Sequence, residues 1–282
     1  MRRLIAAATL IMLTGCATAA CASAAGTTTT SPSSSPVAPA LQGFRPATAG
    51  VLTVATNLPG PGFWDGNSPS TMTGGFEYGM AQYMAKALHL RLKVINVGWD
   101  GLVAGEVKGF DLALSTINIT PGRQKVALFS TPYFASNQGV LVRTGTKVTS
   151  ANARSLRWGV EQSSTSYEYL AGTLKPLQQP RVYQDQPSMF AALAAHQIDA
   201  VLLDTVEVLA EAKQAGGALR VVGQYRTGGV YGALLPKGST NLKIVNTLIK
   251  QMKSNGTLTH LDKEYLVPEF GQDPDAIPYL QP

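Results

Sequence analysis

Val51-Leu52-Thr53-Val54-Ala55 is a mostly apolar run of strand length, and Leu92-Lys93-Val94-Ile95-Asn96-Val97 is a second. Between them Phe76, Met80, Tyr83, Met84, Ala87 and Leu88 recur at the spacing of one helix face. Strand, helix and strand in turn make the unit of an α/β sheet, and the same alternation continues down the chain. Further strands are expected at 111–114, 140–143, 158–160, 181–183, 200–203, 219–222 and 232–235. Met189, Phe190 and Leu193 mark another helix, as do Leu242, Val245, Leu248, Ile249 and Met252. Asn255-Gly256 closes that last helix with residues suited to a left-handed cap, and a short helix at 258–266 stops before Pro268. Alternation of this kind predicts parallel-rich sheets with helices on both faces. The pattern occurs twice with similar spacing, and residues 47–282 exceed what one such sheet needs, so two α/β lobes are expected. Ligands of open α/β sheets bind outside the carboxyl ends of the strands, which puts the site in a cleft between the lobes.

Composition removes several alternatives. Of 282 residues, 45% are hydrophobic and only 14% are charged, against roughly 25% charged in ordinary soluble domains, which excludes a coiled coil or a charged disordered chain. The net charge is +6, but Arg2-Arg3 is the only adjacent basic pair, so no stripe of cations tracks a phosphate backbone and nucleic acid is not expected as a partner. Cys16 and Cys21 both lie near the start, which excludes a disulfide scaffold or a cysteine-built metal site in the body. No phosphate loop ending in Gly-Lys-Ser/Thr, Gly-x-Ser-x-Gly elbow or His-Glu-x-x-His pair is present, and His89, His196 and His260 stand apart. No metal and no cofactor are expected.

Residues 1–15 read as a signal peptide: Arg2 and Arg3, then an apolar stretch at 4–13 too short to span a bilayer. Leu13-Thr14-Gly15-Cys16 resembles the lipobox of bacterial lipoproteins, whose Cys is lipidated and becomes the first mature residue. Cleavage nearer Cys21 is the alternative. Residues 22–40 are nearly all Ala, Ser, Thr, Gly and Pro and cannot bury enough to offset their ordering entropy. A lipidated Cys16 and a tether over 16–46 are therefore expected, with the domain held outside the cytoplasm at a membrane face. Losing Arg2 and Arg3 lowers the net charge from +6 to +4.

An ordered series of segments carries the chemistry. Val54-Ala55-Thr56 leads to a loop with Phe63 and Trp64, and Gly75-Phe76-Glu77 opens a helix. Trp99-Asp100-Gly101-Leu102, Phe110-Asp111-Leu112 and the run Ser115-Thr116-Ile117-Asn118-Ile119-Thr120-Pro121-Gly122-Arg123 follow. Then come Phe129-Ser130-Thr131-Pro132-Tyr133-Phe134, Gly159-Val160-Glu161-Gln162-Ser163-Ser164-Thr165 and Ile198-Asp199-Ala200-Val201, ending at Asp204. In this order, from about Leu52 to Leu266, the series resembles extracellular solute-binding proteins of family 3, which serve polar amino-acid ABC importers.

The resemblance implies a two-lobed periplasmic-binding-protein fold of type II, with lobe 1 at 47–135 plus 230–282 and lobe 2 at 136–229. It implies a polar or cationic L-amino acid as ligand, hinge closure, a membrane permease as partner, a monomer, and no catalysis. A free amino acid is a zwitterion, and a planar guanidinium suits its carboxylate because it gives two parallel charge-assisted hydrogen bonds. Arg123 fills that role by resemblance, and Asp204 that of ammonium partner. Backbone donors at Asn118 and Thr165, acceptors at Ser115 and Thr116, a ring wall of Trp99 and Phe63, and Asn57 toward the ligand side chain complete the implied site. Taken singly, Arg123 can cap a turn, and Asp204 can cap the next helix. Glu77 and Asp100 are read as helix-start acids. Glu161 faces a cationic ligand tail or is simply an exposed strand end. On a rival reading, a dehydratase of the same fold, Glu161 is the general acid. A sensor lobe for a partner kinase is a third.

Overall fold

The computed structural model describes residues 38–282; the signal-peptide, Cys16 and most of the tether expectations lie outside the described residues. The first part of the chain lays down β1 (Val51–Thr56), α1 (Phe76–Ala87), β2 (Arg91–Asn96), α2 (Trp99–Val103), β3 (Leu112–Ala113), α3 (Pro121–Val126) and β4 (Ala127–Phe129). The middle holds β5 (Phe134–Arg143), β6 (Trp158–Glu161), α4 (Thr165–Tyr169), β7 (Arg181–Tyr183), α5 (Gln186–Ala194), β8 (Ala200–Asp204), α6 (Thr205–Gln214) and β9 (Leu219–Tyr231). The chain then returns through β10 (Leu234–Pro236), α7 (Leu242–Ser254), α8 (Thr257–Leu261) and α9 (Val267–Phe270).

The strands form two five-stranded sheets, β2-β1-β3-β10-β4 and β7-β6-β8-β5-β9, one per lobe. β1 pairs in parallel with β2 and β3, and β6 with β7 and β8. The remaining neighbours are antiparallel, so the sheets are mixed rather than parallel-rich. The antiparallel strands are the ones the chain uses to cross between lobes at 129–134 and 231–234, which a reading of strand–helix alternation does not register. Every residue of β1 is buried because helices cover both faces, which is why it reads as a continuous apolar run. At the edge, β2 turns Arg91 and Lys93 to solvent.

Apolar clusters sit on both faces of each sheet. The largest gathers α1, α7 and the face of β1, and it also takes in Val206 and Leu209 of α6 from the other lobe. α6 thus belongs to lobe 2 by its strand neighbours and packs on lobe 1 through α9, where the Lys213 ammonium donates to the Pro268 carbonyl.

Two boundaries differ from expectation. Leu41 is buried in the lobe 1 core, and Arg45 exchanges 2.9 Å hydrogen bonds with Asn241, so the chain is docked from Pro39 rather than loose to residue 46. The last residues, expected in lobe 1, cross to lobe 2: the Gln224 amide donates to the Pro278 carbonyl at 2.8 Å, and Leu280 joins the lobe 2 core. A side chain at Gly223 would come within 2.6 Å of Leu280 and would push that side chain from its place on the lobe 2 core.

Candidate functional site

Thr120-Pro121-Gly122-Arg123 starts α3 with Thr120 as cap, its hydroxyl accepting from the Arg123 amide at 3.2 Å, and Pro121 in the first turn. That start directs the Arg123 side chain into the cleft, where it is only 8% exposed. Its Nη1 donates to the Asn118 carbonyl and its Nη2, across the cleft, to the Ser163 carbonyl, both at 2.9 Å. The guanidinium lies 5.0 Å from the centre of the Trp99 ring, a cation–π contact. Burial lowers the Arg123 pKa, and the charge of Asp204 opposes that shift. Trp99 opens α2 and donates from Nε1 to the Gln162 carbonyl of lobe 2 at 3.0 Å.

Asp204 ends β8 and, although placed as the cap of α6, makes no capping hydrogen bond. Its carboxylate instead accepts from Asn118 Nδ2 at 2.7 Å and from Gln138 Nε2, which fixes it in the cleft wall. Burial raises the Asp204 pKa, and hydrogen bonds from Asn118 and Gln138 and the charge of Arg123 pull it back. Asn118 therefore couples the two charges, with its carbonyl on Arg123 and its carboxamide on Asp204. Thr165 contributes its hydroxyl, which accepts from Asn118 Nδ2 at 3.4 Å and Gln138 Nε2 at 3.3 Å.

Two more acids face the same space. Glu161 is buried at the end of β6, against the exposed alternative, and burial pushes its pKa to about 7; Gln186 Nε2 donates to it at 3.3 Å. Glu207, in the first turn of α6, accepts from the Thr116 hydroxyl of lobe 1 at 2.8 Å. Burial and the neighbouring Asp204 and Glu161 hold its carboxyl well above the usual range.

Glu77 corrects the helix-start reading. It is fully buried and accepts from Trp64 Nε1 at 2.7 Å, the Thr116 amide at 2.8 Å and the Tyr133 hydroxyl. Burial raises its pKa to about 7 against those hydrogen bonds. The bond to Thr116 holds a residue with φ of 50°, a strained backbone for a β-branched side chain, at the wall of the cleft. Ser115 beside it accepts from the Asn57 amide at 3.0 Å, and Asn57 Nδ2 donates to the Val97 carbonyl at 2.8 Å. Phe63 is locked edge-on against Phe76, Phe134 and Tyr231, with centroids 5.9, 5.6 and 6.1 Å away.

These side chains enclose one cavity of about 30 Å³ between the lobes. Arg123, Asp204, Asn118, Ser115, Thr116, Thr165, Trp99, Phe63, Asn57 and Glu161 all line it. So do Glu77, Gln186 and Glu207, which sequence reasoning missed. Glu207 had one available signal: it follows Asp204 by three residues at a helix start, so the two carboxylates project from the same turn. Gln138 had none, because it reaches Asp204 only through the antiparallel pairing of β5 with β8.

The match to bacterial extracellular solute-binding proteins, family 3, covers residues 52–268. The chain belongs to that family. The L-cystine-binding protein TcyJ of Escherichia coli (strain K12) is 32% identical over 204 residues, 71% of this chain and 75% of that one. ABC transporter arginine-binding protein 1 of the same strain is 27% identical over 68% of this chain and 81% of that one. Among solved structures, the ancestral amino acid-binding protein AncCDT-1, a precursor of cyclohexadienyl dehydratase, superimposes with a TM-score of 0.66 at 27% identity, over 77% of this chain and 95% of that one. Family members are extracellular solute-binding proteins, and no helix among the described residues is long and apolar enough to cross a membrane.

Proposed function

We propose that this chain is the substrate-binding lipoprotein of an ABC importer, taking a polar or cationic L-amino acid between its lobes and delivering it to a membrane permease. One observation carries the reading: among the described residues, the sole guanidinium in the cavity wall comes from lobe 1, and Glu161, Asp204 and Glu207 face it from lobe 2. A zwitterion with its carboxylate on Arg123 and its ammonium on Asp204 makes contacts with both lobes at once. Such a ligand favours the closed arrangement by its differential affinity for it. The surplus of carboxylates over cations favours a ligand with a further positive or polar group.

Arg123 and Asp204 would exchange their present partners, the Ser163 carbonyl and the Asn118 carboxamide, for the ligand. No proton transfer or bond breakage is required of any residue, so the reading is of a receptor rather than an enzyme. Cys16 would carry the lipid that keeps the domain at the membrane outside the cytoplasm.

A thermal-shift screen of the mature domain against each standard amino acid tests this, since a ligand present far above its Kd raises the melting temperature by mass action. A shift for basic or amide side chains, with no turnover of arogenate or prephenate, is expected. No shift with any amino acid overturns the proposal.

A further inference from the structure

The cavity at Arg123 and Asp204 is not the end of the cleft. A groove of about 790 Å³ continues from it, between loop 59–67 of lobe 1 and helices α5 and α6 of lobe 2. The two spaces share Phe63, Thr116, Gln186 and Glu207, and the Thr116–Glu207 hydrogen bond stands at their border. Their sizes differ in kind. A single water needs roughly 10–15 Å³ of such space, so the inner cavity is on the scale of a head group. Ligand pockets span roughly 300–1,000 Å³, and the groove falls within that range.

The lining of the groove has a definite chemistry. Phe190, Ala191, Ala194 and Leu219 supply an apolar floor. Asp65, Glu207, Glu211 and Glu269 supply carboxylates, and among the described residues no Lys or Arg lines the groove. Glu269 lies 3.9 Å from the Lys213 ammonium, which offsets its charge, and leaves Glu211 and Glu207 as the acids on the α6 side with no cation beside them in the lining. Burial holds the Glu211 carboxyl above its usual range, as for an acid with no cation beside it.

We infer that the site has two chambers, and that the outer one receives the far end of an elongated amino acid with a positive charge at its tip. This rests on the proposed function, because the α-amino and α-carboxyl groups of the same ligand occupy the inner cavity. Methylene groups of the tail cover Phe190 and Ala191, and the terminal cation faces Glu211 and Glu207. The class is a basic amino acid lengthened at its side-chain end. A symmetrical ligand such as cystine fits less well, because its second carboxylate meets no cation in the outer lining.

Calorimetry with four probes tests the inference: L-glutamine, L-cystine, Nε-hexanoyl-L-lysine and Nε-(6-aminohexanoyl)-L-lysine. The ammonium-tipped probe is expected to bind about tenfold more tightly than its neutral-tipped analogue, and more tightly than cystine. In Glu211→Gln that preference falls by about fivefold, the scale of a partly buried charge pair. In Ala191→Trp, a change at an exposed position on the groove floor, the affinity ratio of the ammonium-tipped probe to glutamine falls by about tenfold or more. Equal affinity for the two lysine derivatives, or an unchanged ratio in Ala191→Trp, overturns the outer chamber. Binding of glutamine without either derivative overturns it too, and leaves the amino-acid reading standing. Failure of all standard amino acids as well overturns both.

Discussion

Lobe 1 and lobe 2 share a sheet plan, with parallel strands at one side and antiparallel strands at the other, yet they bring opposite chemistry to the cleft. Lobe 1 contributes the cation Arg123, stacked on Trp99, and a wall built on the interlocked rings of Phe63, Phe76 and Phe134. Lobe 2 contributes Glu161, Asp204 and Glu207 from the ends of its strands and the first turn of α6. The buried acids of lobe 1 are occupied internally, Glu77 by Trp64, Thr116 and Tyr133 and Asp111 by the amides of Ala47 and Thr53. Similar topology therefore does not make the halves equivalent. On the proposed function, the asymmetry gives a zwitterion a single direction in the cleft, and makes closure depend on a ligand that carries both charges.

The hardest way to break the comparison is to remove the lobe 1 cation. Arg123→Ala leaves a ligand carboxylate buried without its partner and is expected to weaken binding by about 2–5 kcal/mol in calorimetry. An unchanged affinity for every ligand would show that the carboxylate is held elsewhere. Next, Glu77→Ala strips the acceptor from three buried donors, each worth about 1–3 kcal/mol when left unpaired. Denaturant unfolding should show a loss of at least about 2 kcal/mol, which separates this acid's structural task from the cleft-facing acids of lobe 2. Asp204→Asn keeps shape and removes charge, and is expected to reduce affinity by about 1.5–3 kcal/mol with little change in melting temperature without ligand. A large fall in melting temperature instead would recast Asp204 as a structural acid.

A fourth test uses pH. Burial raises Glu161 from its ordinary 4.5 to about 7, and Glu77 likewise, so the folded chain keeps protons that the unfolded chain gives up. The stability this provides is fully present below pH 4.5 and is lost as pH rises through about 7. Asp199, lowered to about 2 by its hydrogen bond with Arg157, acts in the opposite sense but only below its ordinary 3.8. The melting temperature should therefore fall between pH 5 and pH 8, and Glu161→Gln should flatten that slope; a slope unchanged in the variant breaks the assignment. The smallest effect is expected from Trp99→Phe, which removes the hydrogen bond to Gln162 across the cleft and should cost ligand affinity about 0.5–1.5 kcal/mol.

Elements with a strong local signal were readable in the sequence. β1, β7 and α1 begin and end within a residue or two of their hydrophobic periodicity. β4 was not, because Ala127-Leu128-Phe129 follows α3 directly and is too short to show a period. β9 runs on to Tyr231, far past the apolar residues at 219–222, because beyond an irregularity at 226–228 Gly229, Val230 and Tyr231 pair again with Ser136, Ala135 and Phe134 of β5, a long-range pairing that no local periodicity marks. In the site, Arg123 and Asp204 stood out as a lone cation and a strand-end acid in a family pattern. Glu77 did not, because an acid in a first helical turn reads as a favourable partner of the helix dipole, and burial is invisible in one dimension.

The sequence by itself determined the α/β class, the twofold repetition of the pattern, the family and the charged pair suited to an amino acid. Those properties lie in local periodicity and in residue type along the chain. Only the tertiary structure decided which strands run antiparallel, that α6 packs on the opposite lobe, and that Glu207 and Gln186 line both the inner cavity and the groove beside it. Those features depend on residues far apart in sequence. Thr116 and Glu207 are 91 positions apart, and only the crossing of the chain at 129–134 and 231–234 brings their oxygens within 2.8 Å.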